Sequence, residues 1–119
     1  MSRATISSVL YATSKGIPRN DPRFKVAFHH TFRANMQVVN ARATARRYGV
    51  ENTLTAGEWK AILSDSNGVC CYCQNFVGVE HLELEHYYPV SKGGANSAHN
   101  IKAACRPCNL RKKDKIPNR

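Results

Sequence analysis

Apolar residues recur along this chain at two periods, and the periods predict the elements. From residue 32 to 48, Met36, Val39 and Ala43 fall at i, i+3 and i+7, which predicts a helix that Gly49 stops. Thr55-Ala56-Gly57-Glu58 fits a capping box, and Trp59, Ile62 and Leu63 follow as the buried stripe of a second helix, with Ser64 to Gly68 as its exit turn. Trp59 reads as core, not as a base-stacking residue. His81 to Glu85 alternates, which predicts a strand with Leu82 and Leu84 on one face. Pro89 and Gly93-Gly94 then force a loop. Asn96 or Ser97 can cap a short helix holding Ile101 and Ala104, and Asn109 to Lys115 reads as the last helix. Residues 1–31 are less patterned. Ile6, Val9, Leu10 and Tyr11 fit a short helix or strand, residues 14–22 are turn chemistry, and Pro117 to Arg119 read as a frayed end.

Length and charge narrow this picture. The 119 residues make one small domain with an extension: a basic, partly helical stretch over residues 1–50 and a second unit over residues 51–119. The net charge of +10 is uneven, with nine Lys/Arg against one acid in residues 1–50 and nine against seven in the remainder. A basic chain of this kind points to a polyanion such as nucleic acid, and a solubility charge is the plainer alternative. Arg42, Arg46 and Arg47 share the first helix, which has four arginines and no acid and so suits a DNA backbone; a solvated face is the other reading. Lys15, Arg19, Arg23 and Lys25 suit a phosphate-binding arm or a disordered tail equally. The His29-His30 pair has no further ligand at useful spacing and reads as surface or packing. No apolar run is long enough for a membrane span, and Arg3 is followed by no continuous apolar stretch, so neither an anchor nor a secretory signal is expected.

A reducing, cytoplasmic compartment follows, and there the five cysteines read as metal ligands in preference to disulfides. Cys70, Cys73, Cys105 and Cys108 form two Cys-x2-Cys pairs with 31 residues between them. Four thiolates make a closed tetrahedral zinc site with no open position, which folds a domain and does not activate water. The fifth, Cys71, reads as a small buried filler.

Between the pairs lie Glu85-His86-Tyr87-Tyr88-Pro89, Lys92-Gly93-Gly94 and Asn100-Ile101, and the second pair runs on through Asn109 to Lys112. In order and spacing these motifs resemble the HNH (ββα-metal, His-Me finger) endonucleases, in particular those with a four-cysteine zinc frame. The resemblance covers roughly residues 57–115. It implies an α+β fold, a small ββα-metal domain on a zinc frame of four cysteines, here with a helical basic N-terminal extension. It also implies a DNA hydrolase, with His86 as general base, Glu85 and Asn109 as ligands of a catalytic Mg²⁺ or another divalent ion such as Mn²⁺ or Ni²⁺, and Asn100 holding the loop that orients His86. A purely local hydrogen bond is the alternative for Asn100. The residue chemistry fits independently, because phosphodiester hydrolysis needs a base of near-neutral pKa and hard oxygen ligands for a cation. Lys92, Arg106, Arg111, Lys112 and Lys113 would then line the phosphate path, and His81 and His99 are secondary candidates for assistance.

Two positions depart from the family pattern. Glu85 stands where Asp is usual, which moves the carboxylate by about 1.5 Å in a site that needs roughly 0.5 Å precision. Asn109 stands where the name motif has His. The expected partner is double-stranded DNA, with no membrane, in a bacterial or phage-infected cell. A lone site nicks one strand, so a double-strand break needs a homodimer or two visits. The competing readings are a catalytically decayed zinc-knuckle module that binds nucleic acid and a zinc-stabilised protein-interaction domain.

Overall fold

A computed structural model describes the backbone of residues 22–115 and the side chains of residues 31–115. The expectations for Ile6 to Tyr11, the turn before Pro22, Lys15, Arg19 and Pro117 to Arg119 lie outside the described residues, as do the side chains of Arg23, Lys25, His29 and His30. The elements, in order, are α1 (Pro22–Tyr48), α2 (Ala56–Ser66), β1 (Leu82–His86), β2 (Ile101–Cys105) and α3 (Arg106–Lys112), with single 3₁₀ turns at Val79–His81, Val90–Lys92 and Ala98–Asn100. The fold is α+β: three helices, one two-stranded antiparallel sheet and a four-cysteine cluster, consistent with a ββα-metal domain.

The first helix begins ten residues before the apolar period suggested, at a proline, whose fixed φ and missing N–H suit a first helical position. It ends as expected: Gly49 sits at φ +68 and the amides of Gly49 and Val50 return to Arg46 and Ala45. Its buried face is a different one from the predicted stripe. Ala34, Val38, Ala41 and Ala45 are buried, whereas Met36 and Val39 are 41% and 54% exposed and Ala43 is exposed. Small side chains make up most of the buried positions, and the larger apolar ones, the usual markers of a core, are exposed here. The chain divides into two compact units inside this helix, Met1–Met36 and Gln37–Arg119.

Within the second unit α2 follows the sequence pattern. Thr55 and Glu58 cap each other reciprocally, and Trp59 and Leu63 are fully buried. The Trp59 indole N–H donates to Gln37 Oε1 at 2.8 Å, and Gln37 Nε2 reaches the carbonyl of Leu82, so α1 and α2 share one hydrogen-bonded seam with β1. Helix α2 leaves through Asn67 and Gly68, both at positive φ. The chain then turns through the first cysteine pair, where Val69 and Phe76 bridge and Gln74 adopts φ +64.

Strand β1 occupies the predicted stretch. The short helix expected around Ile101 and Ala104 is instead β2, which pairs with β1 in the register Leu82↔Cys105 through His86↔Ile101. Two alanines give that segment helix propensity but no strand signal. The long-range ladder with β1 decides the conformation, and the last helix, expected over Asn109 to Lys115, runs instead over Arg106–Lys112, with Pro107 in its first turn and Lys113 at φ +48 after its end.

Candidate active site and metal centre

The two cysteine pairs meet where β2 passes into α3. Cys70 and Cys73 lie on the turn after α2, Cys105 ends β2 and Cys108 sits in α3. All four sulfurs lie within 4.8 Å of one another, and Cys73 Sγ is 3.8 Å from Cys105 Sγ. A tetrahedral ion with about 2.3 Å metal–sulfur bonds separates its ligands by about 3.8 Å, so the donor set fits zinc. The sulfurs are unequal. Burial opposes ionisation of Cys70, but hydrogen bonds from the backbone amides of Cys105, Cys73 and Tyr72 outweigh it and bring that thiol down to about 6. Burial and the neighbouring sulfurs push Cys108 up to about 12. Cys71 turns away: its amide donates to Ala103 O, and burial raises its thiol to about 11. It is half-buried, where a buried filler was expected.

Cys105 and Cys108 also tie α3 to the sheet. Glu83 and Glu85 alternate onto one face of β1, and Arg106, Asn109 and Lys112, three residues apart on α3, meet them. Asn109 Nδ2 donates to Glu83 Oε1 at 2.8 Å, and the Arg106 guanidinium lies 3.3 Å from Glu83 Oε2. Lys112 Nζ sits 2.9 Å from Glu85 Oε2 and donates to the carbonyl of His86 at 3.0 Å; the two charged side chains are only 9% and 6% exposed. Tyr72 O–H donates to the same Glu85 oxygen at 2.9 Å. Burial, together with that carboxylate, holds the Tyr72 phenol protonated far above its usual range. Neither Glu85 Oε1 nor Asn109 Oδ1 accepts a hydrogen bond from a protein group among the described residues. Each is a hard oxygen of the kind that Mg²⁺ or a similar ion takes as a ligand.

His86 closes β1. Its Nε2 lies 2.9 Å from Oδ1 of Asn96, a fully buried residue. Burial lowers its pKa from the ordinary 6.5, against the opposing pull of the Asn96 bond and of Glu85, and so favours the neutral ring. Asn100 ends the 3₁₀ turn Ala98–Asn100, and its side chain clamps the loop before it. Its Nδ2 donates to the carbonyls of Tyr88 and Ala95, and its Oδ1 accepts from the Tyr88 amide. Gly94 completes the loop, since any Cβ there would collide with the Tyr88 carbonyl.

The basic candidates separate into two groups. Arg46, Arg47, Lys92 and Lys113 are exposed. Arg42 is engaged inside the fold, donating to the carbonyl of Leu54, and Lys112 is committed to Glu85. Arg106 pairs with Glu83, and Arg111 donates to the sulfur of Cys108 at 3.1 Å. His81 lies against Glu80 and His99 against Ser97, so neither is paired with His86. Sequence reasoning missed Tyr72, Glu83 and Asn96. Glu83 was accessible from the strand period, two residues before Glu85. Tyr72 and Asn96 carry no such signal, because their partners lie 13 and 10 residues away across turns.

The sequence model of the HNH endonuclease family matches residues 70–119. This segment is an HNH domain. No curated protein matches the chain. The HNH match spans both cysteine pairs, β1, the clamped loop, β2 and α3, and that family is nucleolytic, which implies a nucleic-acid substrate. No helix among the described residues is long and apolar enough to cross a membrane.

Proposed function

We infer that the HNH domain is a metal-dependent endonuclease that hydrolyses DNA phosphodiester bonds, with His86 as general base and a divalent ion at Glu85 and Asn109. The observation that carries this reading is the His86 ring, held at the end of β1 by Asn96, one residue from a buried carboxylate with an open oxygen. His86 accepts the proton of the attacking water. Bound between Glu85 and Asn109, Mg²⁺, Mn²⁺ or Ni²⁺ would supply charge neutralisation for the phosphate and the leaving oxygen. Asn100 keeps the loop over the site in one conformation, and the zinc frame sets the spacing of β1 from α3. Among the described residues, exposed Arg46, Arg47, Lys92 and Lys113 have no acidic partner and are candidates to meet duplex phosphates. Each chain nicks one strand, and a homodimer or a second visit completes a double-strand break. The cytoplasm, where four thiols stay reduced, is the compartment this chemistry needs.

A second reading has an observation of its own. Lys112 sits on the carboxylate that the divalent ion would use, and Glu85 replaces the usual Asp, as in a module that binds nucleic acid and no longer cuts it. Supercoiled plasmid separates the two. With zinc-loaded protein and Mg²⁺, Mn²⁺ or Ni²⁺, wild type converts plasmid to open circle, EDTA prevents it, and His86→Ala lowers the rate by about 10²- to 10⁴-fold while zinc content is unchanged. Plasmid shifted in a gel but left supercoiled with every metal would overturn the nuclease reading in favour of the binding module.

A further inference from the structure

The bond between His86 and Asn96 is the last link of a longer chain. Asn96 Nδ2 donates to Asn52 Oδ1 at 2.8 Å, and Asn52 Nδ2 donates to the backbone carbonyl of Arg42 at 3.1 Å. A carbonyl can only accept, so the Asn52 group that meets Arg42 must be its NH₂. That leaves Asn52 Oδ1, a pure acceptor, facing Asn96, and Asn96 must answer with its own NH₂. Its Oδ1 is then what faces His86, and a pure acceptor there requires a proton on His86 Nε2. The free lone pair of the neutral ring is therefore on Nδ1. Amide orientations are normally chosen by the network around them. Here the network is anchored on a main-chain carbonyl that allows one solution.

Asn96 cannot easily depart from its place. It is fully buried, its amide donates to Glu51 O at 2.8 Å, and its carbonyl accepts from the amides of Thr53 and Leu54, each at 2.9 Å. The Arg42 guanidinium in turn donates to Leu54 O at 3.0 Å. The segment joining α1 to α2 is thereby stitched to the loop between β1 and β2, and the stitch ends on the candidate base.

We propose that Asn96, oriented by Asn52 and the Arg42 carbonyl, is a positioning residue that holds His86 as the Nε2–H tautomer and presents Nδ1 as the proton acceptor. The proposal rests on the reading of His86 as general base. It adds a residue outside the HNH motif, together with a partner, Asn52, outside the segment that matches the family.

The test reads the ring directly. In zinc-loaded full-length protein with ¹⁵N-labelled histidine, long-range ¹H–¹⁵N correlation spectra at mildly alkaline pH identify which ring nitrogen carries the proton; His86 is assigned by its loss in His86→Gln. Wild type shows a proton on Nε2 only, in slow exchange with water. Asn96→Ala loses this slow exchange, and its plasmid-nicking kcat falls about 10- to 100-fold, the scale for partners that orient a site residue, with KM for DNA little changed. Asn52→Ala, in which Asn96 is free to turn, speeds the exchange in the same direction and serves if Asn96→Ala does not fold. A proton on Nδ1 in wild type, or a slowly exchanging Nε2–H that survives both substitutions, would overturn the proposal. Because the proton is seen without turnover, a protected Nε2–H in a protein that cuts no DNA would reject the nuclease reading and leave the orientation by Asn96 standing.

Discussion

Glu85 and Lys112 form a buried ion pair at the position where a cation ligand is expected, and that makes the pair informative. Desolvation costs both partners, and the pair holds because Tyr72 and the His86 carbonyl satisfy further hydrogen-bonding capacity. Removing one charge leaves the other stranded, which for buried pairs costs about 3–5 kcal/mol. Lys112→Met should therefore lower the thermal midpoint of the zinc-loaded protein by many degrees. A divalent ion at Glu85 offers the stranded carboxylate a replacement. Millimolar Mg²⁺ should then raise the midpoint of Lys112→Met more than that of wild type, by mass action on the folded state. Equal shifts in the two proteins would speak against an ion at Glu85. At this scale the sequence was legible in its residue types: His86, Glu85, Asn100 and Asn109 all come to the β1–loop–α3 region. Their pairings were hidden. Asn109 takes Glu83, Glu85 takes Lys112, and His86 takes Asn96, because which acceptor a side chain meets depends on strand register and loop closure, which no spacing encodes.

Among the elements, β1 and α2 could be read because each carries a complete local signal, alternation in one and a capping box with a stripe in the other. Strand β2 could not. Its Lys102, Ala103 and Ala104 are neutral or helix-favouring, and only pairing with β1 makes them extended. The loop between the strands is the element most dependent on particular residues, and its adjacent glycines should respond differently to alanine. Gly93 has φ +94 with open space around its Cα, so Gly93→Ala incurs only backbone strain, about 1–3 kcal/mol. At Gly94 a methyl group meets the Tyr88 carbonyl, the atom that Asn100 clamps. Gly94→Ala must move that backbone, so it should cost more stability than Gly93→Ala in urea melts and should abolish plasmid nicking with zinc still bound. Equal losses from the two substitutions would mean that the loop is not held against Tyr88.

Across the whole chain, zinc and charge set the behaviour. The second unit is small, and its cysteine cluster joins α2's exit, β2 and α3, so stripping zinc with a chelator should remove its cooperative unfolding transition, and readdition should restore it. The basic surface is subtler, because arginines alike in sequence do different work. Arg46 and Arg47 are exposed at the end of α1, whereas Arg42, one turn earlier, braces the Leu54 carbonyl. A phosphate contact releases counterions and steepens the salt dependence of binding by about 0.9 in the log–log slope, whereas an internal brace contributes to stability alone. In a His86→Ala background, which keeps DNA intact during titration, replacing Arg46 and Arg47 together by serine should flatten the slope by about 2 and leave stability within about 0.5 kcal/mol. Arg42→Ser should do the opposite: it strands the Leu54 carbonyl at a cost of about 1–3 kcal/mol and leaves the slope unchanged. Fluorescence anisotropy of a labelled duplex across a salt series measures the first quantity and urea unfolding the second. A flattened slope for Arg42→Ser would mean that its guanidinium leaves Leu54 for phosphate when DNA binds, and an unchanged slope for the double variant would place the DNA elsewhere, at Lys92 and Lys113.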